Sequence, residues 1–224
     1  MEKFIIPVPD VKAAVPPEKL LSALHLDTPG KKGKMADDVM GMYHEGIKIA
    51  KPVSVYSPLK PEFSEGRVWL NGVKIEESFV YEKLSSNDLV IPFVSTCGRE
   101  IDEWSKSFPD MFMQFAVDAF KELCLDAARD ELLKNVRGKY FNADKCISRI
   151  NPGSLPAWPI KGQKPLFDIL GDVAGDIGVV LTDSMMMKPT KSVSGIMFET
   201  DEEYHNCQLC PRADCPKRRA PFAS

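Results

Sequence analysis

The chain has 224 residues, 44% of them hydrophobic, enough for a sizeable core in one large domain or two small ones. Its formal charge of -3 leaves no electrostatic footprint for nucleic acid, and no apolar run is long enough to cross a bilayer. Met1 to Asp10 carries one lysine and no small-residue cleavage pattern, so no secretory leader is expected. Six cysteines without a leader point to a reducing cytoplasm, where clustered thiols more often bind metal or do redox chemistry than form disulfides.

In chain order, Phe4 to Pro9 reads as a short strand, and Pro16-Pro17-Glu18 opens a short helix running to Leu24, since proline suits a helix start. Thr28 to Lys34 is a basic, glycine-containing loop. Met35 to Ala50 places Val39, Met42, Tyr43, Ile47 and Ala50 near helical spacing. Pro52 ends that helix, and Val53 to Tyr56 is strand-like. Arg67 to Leu70 and Val73 to Ile75 flank Asn71-Gly72, a pair that fits a type I′ hairpin turn. The apolar run Leu89 to Thr96 reads as a buried strand, Arg99 to Lys106 as a helix, and Met111 to Asn135 as the longest amphipathic helix. After Asn135, glycine, proline and turn residues dominate, with a short helix near Pro165 to Leu170 and short strands at Val179 to Leu181 and Ser194 to Phe198. The first part reads as scaffold and the second as a site built on loops. The expected class is α+β, with antiparallel hairpins packed on helices. The expected division is a main domain over 1–200 and a cysteine-rich tail over 201–224.

Two segments carry chemistry. Arg149-Ile150-Asn151-Pro152-Gly153-Ser154-Leu155-Pro156-Ala157-Trp158-Pro159 reads as a rigid loop, because its prolines fix φ while Gly153 allows positive φ or a close backbone approach. The planar fork of Arg149 suits a carboxylate. An amino-acid-like ligand fits such a loop; so does a plain structural turn with a surface arginine. The second segment is the tail, with Cys207, Cys210 and Cys215. A C-x2-C pair sets two thiolates on one side of a tight turn, and a proline after the last cysteine fits iron–sulfur ligation. Arg212, Lys217, Arg218 and Arg219 would favour thiolates and offset an anionic cluster. Iron–sulfur is the first expectation, including a four-iron, four-sulfur cluster, zinc the next, and free thiols the last. Cys146 is the first candidate for a fourth ligand and Cys97 the second; an open iron, or His205 completing a zinc site, remain alternatives. Cys124, inside the long helix, reads as a buried apolar residue. Met185-Met186-Met187 suits a flat apolar ligand or, more commonly, core.

Arg149 and Gly153, then Ile177-Gly178-Val179-Val180-Leu181-Thr182-Asp183-Ser184, then Pro189 to Gly195 resemble, in order and separation, the activation domain of vitamin B12-dependent methionine synthase. That family carries an R-x-x-x-G-Y core, an I-G-x-x-L-T-E-S stretch and P-x-x-S-V-S-G. The resemblance implies a mixed fold with a bent antiparallel sheet and a bound S-adenosylmethionine. It implies Arg149, Gly153 and Ser154 as ligand-binding positions, although Ser154 stands where the family has tyrosine and so lacks a stacking ring. Asp118 falls where the family's long helix carries an acidic ligand contact; a solvated helical aspartate is the alternative. Tyr204 falls near a family tyrosine pair, one residue short in spacing, with His205 in place of the second tyrosine. The family's domain lacks the cysteine tail. The implied role is reductive activation of a separate corrinoid (cobalamin) protein, a methionine synthase without its own activation domain or another corrinoid methyltransferase, in methionine biosynthesis. S-adenosylmethionine would be the methyl donor and a ferredoxin or flavodoxin the reductant. The alternative is a metal-binding adaptor of the same fold that no longer binds S-adenosylmethionine.

Overall fold

The computed structural model describes residues 2–27, 33–212, 214–215 and 218–222. Most of the loop expected at Thr28 to Lys34, and Lys217 of the tail, lie outside these.

The chain opens with β1 (Phe4–Pro7), α1 (Val11–Ala14), α2 (Pro17–Ala23), α3 (Lys34–Ile49) and β2 (Val53–Tyr56). It continues through β3 (Glu62–Ser64), β4 (Arg67–Leu70), β5 (Val73–Ile75), α4 (Ser78–Leu84), β6 (Ile91–Thr96), α5 (Arg99–Ser105) and α6 (Met111–Tyr140). The last part holds β7 (Cys146–Ile150), α7 (Gln163–Leu170), α8 (Val173–Ile177), β8 (Val180–Leu181), β9 (Met187–Lys188) and β10 (Ser192–Thr200). The mixed α and antiparallel β class expected from the sequence is the class observed.

A five-stranded sheet in the order β1-β2-β6-β10-β7 organises the molecule, and every pairing in it is antiparallel. Alternation along its strands sends side chains to two covered faces. Tyr56, Ile91, Phe93 and Met197 meet Leu132 and Val136 of α6. Val55 and Val94 meet Leu170, Val173 and Ile177 of α7 and α8. Because both faces are covered, β6 is buried along its whole length, which is why it reads as a continuous apolar run and not as an alternation. The hairpin β4–β5 turns at Asn71 and Gly72, with φ of 51° and 74°, the left-handed values that a type I′ turn demands.

Two expectations need correction, and the methionine run takes a defined place. Arg149 is not in a loop: it lies within β7, an edge strand paired with β10 through Arg149↔Met197. The basic and polar residues around it hid this strand. The long helix runs to Tyr140, past the expected end at Asn135, because Val136 and Tyr140 still pack against the sheet. The methionine run is a hairpin connection: Met185 takes a φ of 62°, Met186 is exposed and Met187 packs against the α7–α8 core.

Candidate functional site

Since side chains alternate along β7, Ile147 and Arg149 share one face of the strand, the face that looks toward α6. Helical periodicity brings Leu123, Asp126, Ala127, Asp130, Leu133 and Arg137 to the facing stripe of α6. Between them lies a cleft of about 460 Å³, whose third wall is the C-terminal segment through Glu203, Tyr204, His205 and Arg219. A smaller cavity of about 200 Å³ adjoins it and shares Arg129, Arg149, Tyr204, His205 and Arg219. The combined size suits a small organic ligand.

The C-terminal segment reaches the cleft by crossing the β7 edge. The Tyr204 N–H donates to Ser148 Oγ at 2.8 Å, and Asn206 Nδ2 donates to Asn151 Oδ1 at 3.4 Å. Asn151 in turn donates to the Ser194 carbonyl at 2.6 Å. Beyond this crossing, the Arg218 guanidinium gathers the chain. It donates to the carbonyls of Cys207 and Cys210, each at 2.9 Å, and to those of Arg212 and Ala220 at 2.5 and 3.0 Å.

Polar groups in the cleft are unevenly partnered. Arg129 is paired with Asp126 at 2.7 Å. Arg149 is half-buried and, among the described residues, forms no ion pair and no side-chain hydrogen bond. Burial, followed by the nearby charges of Arg129 and Arg219, lowers its pKa to about 10, so its positive charge is held at a cost that an anion would relieve. The Tyr204 hydroxyl is buried without a hydrogen-bond partner, and burial pushes its pKa up to about 12. A buried donor without an acceptor is costly, and the ring that carries it packs against the core around β4, β5 and α4. Lys83 sits 4.1 Å over the same ring and fixes its plane.

Of the residues picked out by sequence, Arg149 and Tyr204 therefore meet in the cleft, and Gly153, Ser154 and Asp118 do not line it. Gly153 closes a tight loop, its N–H donating to the Trp158 carbonyl at 2.8 Å with φ of +79°. Ser154 is exposed. Asp118 binds Lys191 at 2.8 Å, so it holds α6 to the segment leading into β10. The sequence reading names none of Asp126, Arg129, Asp130 and Glu203, and it sets Arg219 beside the thiols, not in the cleft. The α6 group follows helical spacing from Leu123 and was legible in principle; nothing local marks Arg219.

All six cysteines are free. Cys207 lines the smaller cavity, and Cys210, after a 3-10 turn over Asn206–Leu209, packs against the core around β4, β5 and α4. The Arg219 N–H donates to Cys207 Sγ at 3.4 Å. That bond leads the causes that lower the Cys207 pKa, partly opposed by burial and assisted by the Ala220 N–H and by Arg218 and Arg219. Cys146 pairs with Thr200 at the opposite end of β7 from Asn151. Five residues of strand span about 16 Å, so Cys146 is not brought to Cys207. Cys97 is fully buried in the helical core and its pKa is raised to about 12, mainly by burial. Among the described residues, no three His, Cys, Asp or Glu side chains converge as a metal site requires. None of the helices among them is long and apolar enough to cross a membrane.

Residues 74–217 match the family model described as vitamin B12-dependent methionine synthase, activation domain. Among solved structures, the chain is similar to the MetH reactivation domain bound to AdoHcy, with a TM-score of 0.66 and 19% identity, covering 92% of this chain and 81% of that one. No curated protein matches the chain.

Proposed function

The chain belongs to the vitamin B12-dependent methionine synthase activation-domain family, and from that premise we propose that it binds S-adenosylmethionine in the cleft between α6 and β7 and serves a corrinoid protein on a separate chain. The observation that carries this reading is the half-buried, unpaired Arg149 in a cleft that Asp130, Glu203 and Tyr204 also line. A guanidinium without an acceptor fits the carboxylate of a methionine moiety. Asp130 and Glu203 line the larger cavity and suit the ammonium and sulfonium charges, while Leu123, Ala127 and Leu133 offer apolar contact to a nucleoside. The structural neighbour's bound AdoHcy lends support, as the demethylated form of the same donor.

In this reading the donor supplies a methyl group that traps a reduced cobalt centre, and the chain's residues orient it. Arg149 fixes the carboxylate end, α6 sets the orientation of the rest, and the tail limits water. A ferredoxin or flavodoxin is the proposed reductant. Six free thiols suit the cytoplasm.

For the tail we propose metal binding, iron–sulfur first and zinc second, through Cys207, Cys210 and Cys215. The C-x2-C spacing and the lowered pKa of Cys207 support it. Among the described residues these thiols do not converge, so metal binding would have to gather them. Iron and acid-labile sulfide in anaerobically purified protein test the cluster; stoichiometric zinc without colour would replace it, and metal-free protein after reconstitution would remove both.

Calorimetric titration with S-adenosylmethionine tests the donor site. Saturable binding is expected, weakened in Arg149→Ala by about 2 kcal/mol, the size of a charge-assisted hydrogen-bonded pair. No binding to the wild-type chain would leave the metal-binding adaptor as the surviving reading.

A further inference from the structure

The smaller cavity has a distinctive lining. Arg129, Arg149 and Arg219 all face it, and among the described residues no carboxylate does; the acids of the site, Asp126, Asp130 and Glu203, line only the larger cavity. Arg129 already holds Asp126 at 2.7 Å. Arg149 and Arg219 remain, and neither side chain has an ion pair or hydrogen bond among the described residues. Arg219 is exposed and solvent screens much of its repulsion with the half-buried Arg149; an anion between the two guanidiniums would relieve the rest.

We propose that Arg219, carried on the cysteine-bearing tail, completes a two-guanidinium clamp with Arg149 around the carboxylate of the donor's methionine moiety. The proposal rests on the donor reading given above and adds a residue and a role to it. A carboxylate has two oxygens and about four lone-pair directions, enough to accept from two guanidinium forks. One arginine satisfies half of those directions, and the second removes the remaining unpaired cation.

Arg219 is placed for this by its neighbours. Its N–H donates to Cys207 Sγ at 3.4 Å, and the preceding Arg218 ties the carbonyls of Cys207 and Cys210 at 2.9 Å each. The tail is thereby folded back on itself, so that residue 219 returns to the cleft that residues 203–205 already wall. In this arrangement the cysteine segment is half of the donor site, not an appendage to it.

The test uses the full chain and two ligands, S-adenosylhomocysteine and 5′-methylthioadenosine, which shares the nucleoside and thioether but lacks the amino-acid group. Titrations extend to millimolar concentration. Arg219→Ala is expected to weaken S-adenosylhomocysteine about tenfold, less than the roughly thirtyfold of Arg149→Ala, and to leave 5′-methylthioadenosine unchanged or equally undetectable. The double variant is expected to lose less than the product of the two single losses, since both arginines share one carboxylate. Arg219→Lys, which keeps the charge without the fork, is expected to fall between. Unchanged S-adenosylhomocysteine affinity in Arg219→Ala overturns the clamp alone. An equal loss for both ligands also overturns it, since Arg219 would then act only as a wall. Failure of the wild-type chain to bind S-adenosylhomocysteine overturns the donor reading and the clamp together.

Discussion

The α6 wall of the cleft is backed by Ala116, Phe120, Cys124, Ala128, Leu132 and Val136, all fully buried, whereas the described residues of the opposite wall, 203–212, 214–215 and 218–219, bury no apolar side chain fully and are tied by hydrogen bonds to Ser148 and Asn151 and from Arg218. One wall is held by close packing and the other by polar links at the surface. Packing gives a wall that moves only when the whole domain unfolds. Polar links exchange with water at small net cost, so the tail wall belongs to the low-stability part of the molecule. The cleft therefore joins a rigid surface to an adjustable one, and each wall has its own response to substitution.

The largest effect is expected from the packed wall. Phe120 is fully buried, meets Tyr43 edge-on at 5.8 Å and lies so close to Gly46 that a Cβ there would come within 2.7 Å of its ring. Phe120→Ala should cost about 3–5 kcal/mol in urea denaturation, as for other large-to-small core changes. A cost below about 1 kcal/mol would show that α6 is not the rigid wall.

Arg218→Ala should act on the tail alone. Loss of its charge-assisted bonds removes about 1.5–3 kcal/mol of local protection. Amide hydrogen exchange across 204–222 should accelerate while the midpoint of global unfolding stays put. Loss of global stability to the same extent would mean that the two walls form one cooperative unit.

Gly195 sharpens the comparison at the seam. A Cβ there would lie 2.5 Å from both the Ile150 carbonyl oxygen and Asn151 Nδ2, at the pairing of β10 with β7. Gly195→Ala should destabilise by about 1–3 kcal/mol, as overpacking does, and disturb the Asn151 link to Asn206. A crystal structure of the variant with the tail unmoved would break the proposed continuity.

The smallest effect reports how dry the packed wall is. Burial raises the Cys97 pKa from 9.0 to about 12 and raises that of Cys124 as well. Above pH 9 the unfolded chain loses these thiol protons first, so stability falls as pH rises toward the folded values. Between pH 8.5 and 9.5, one such thiol should remove about 0.7 kcal/mol. Cys97→Ala should flatten the slope by that amount, and an unchanged slope would mean that water reaches the site.

Local physics was enough to read most of the scaffold. Proline at the start of α2, the Asn71-Gly72 turn, the continuous apolar β6 and the long α6 each follow from a rule acting within a few residues. The family blocks were legible too, and the structure supplies a reason for one of them: Gly195 permits the close approach of β10 to β7. The site itself was only half legible. Arg149 was picked out but placed in a loop, because an edge strand with one exposed side lacks the apolar alternation that announces a strand. Asp118, which falls where the family has an acidic ligand contact, pairs with Lys191 here, and Asp126 and Asp130 line the cleft. By itself the sequence determined the elements and the family, since both depend on residues near one another in the chain. Only the tertiary structure decided that Arg219 lies with Arg149, 70 residues earlier, because that meeting depends on the tail crossing the β7 edge and being folded back by Arg218.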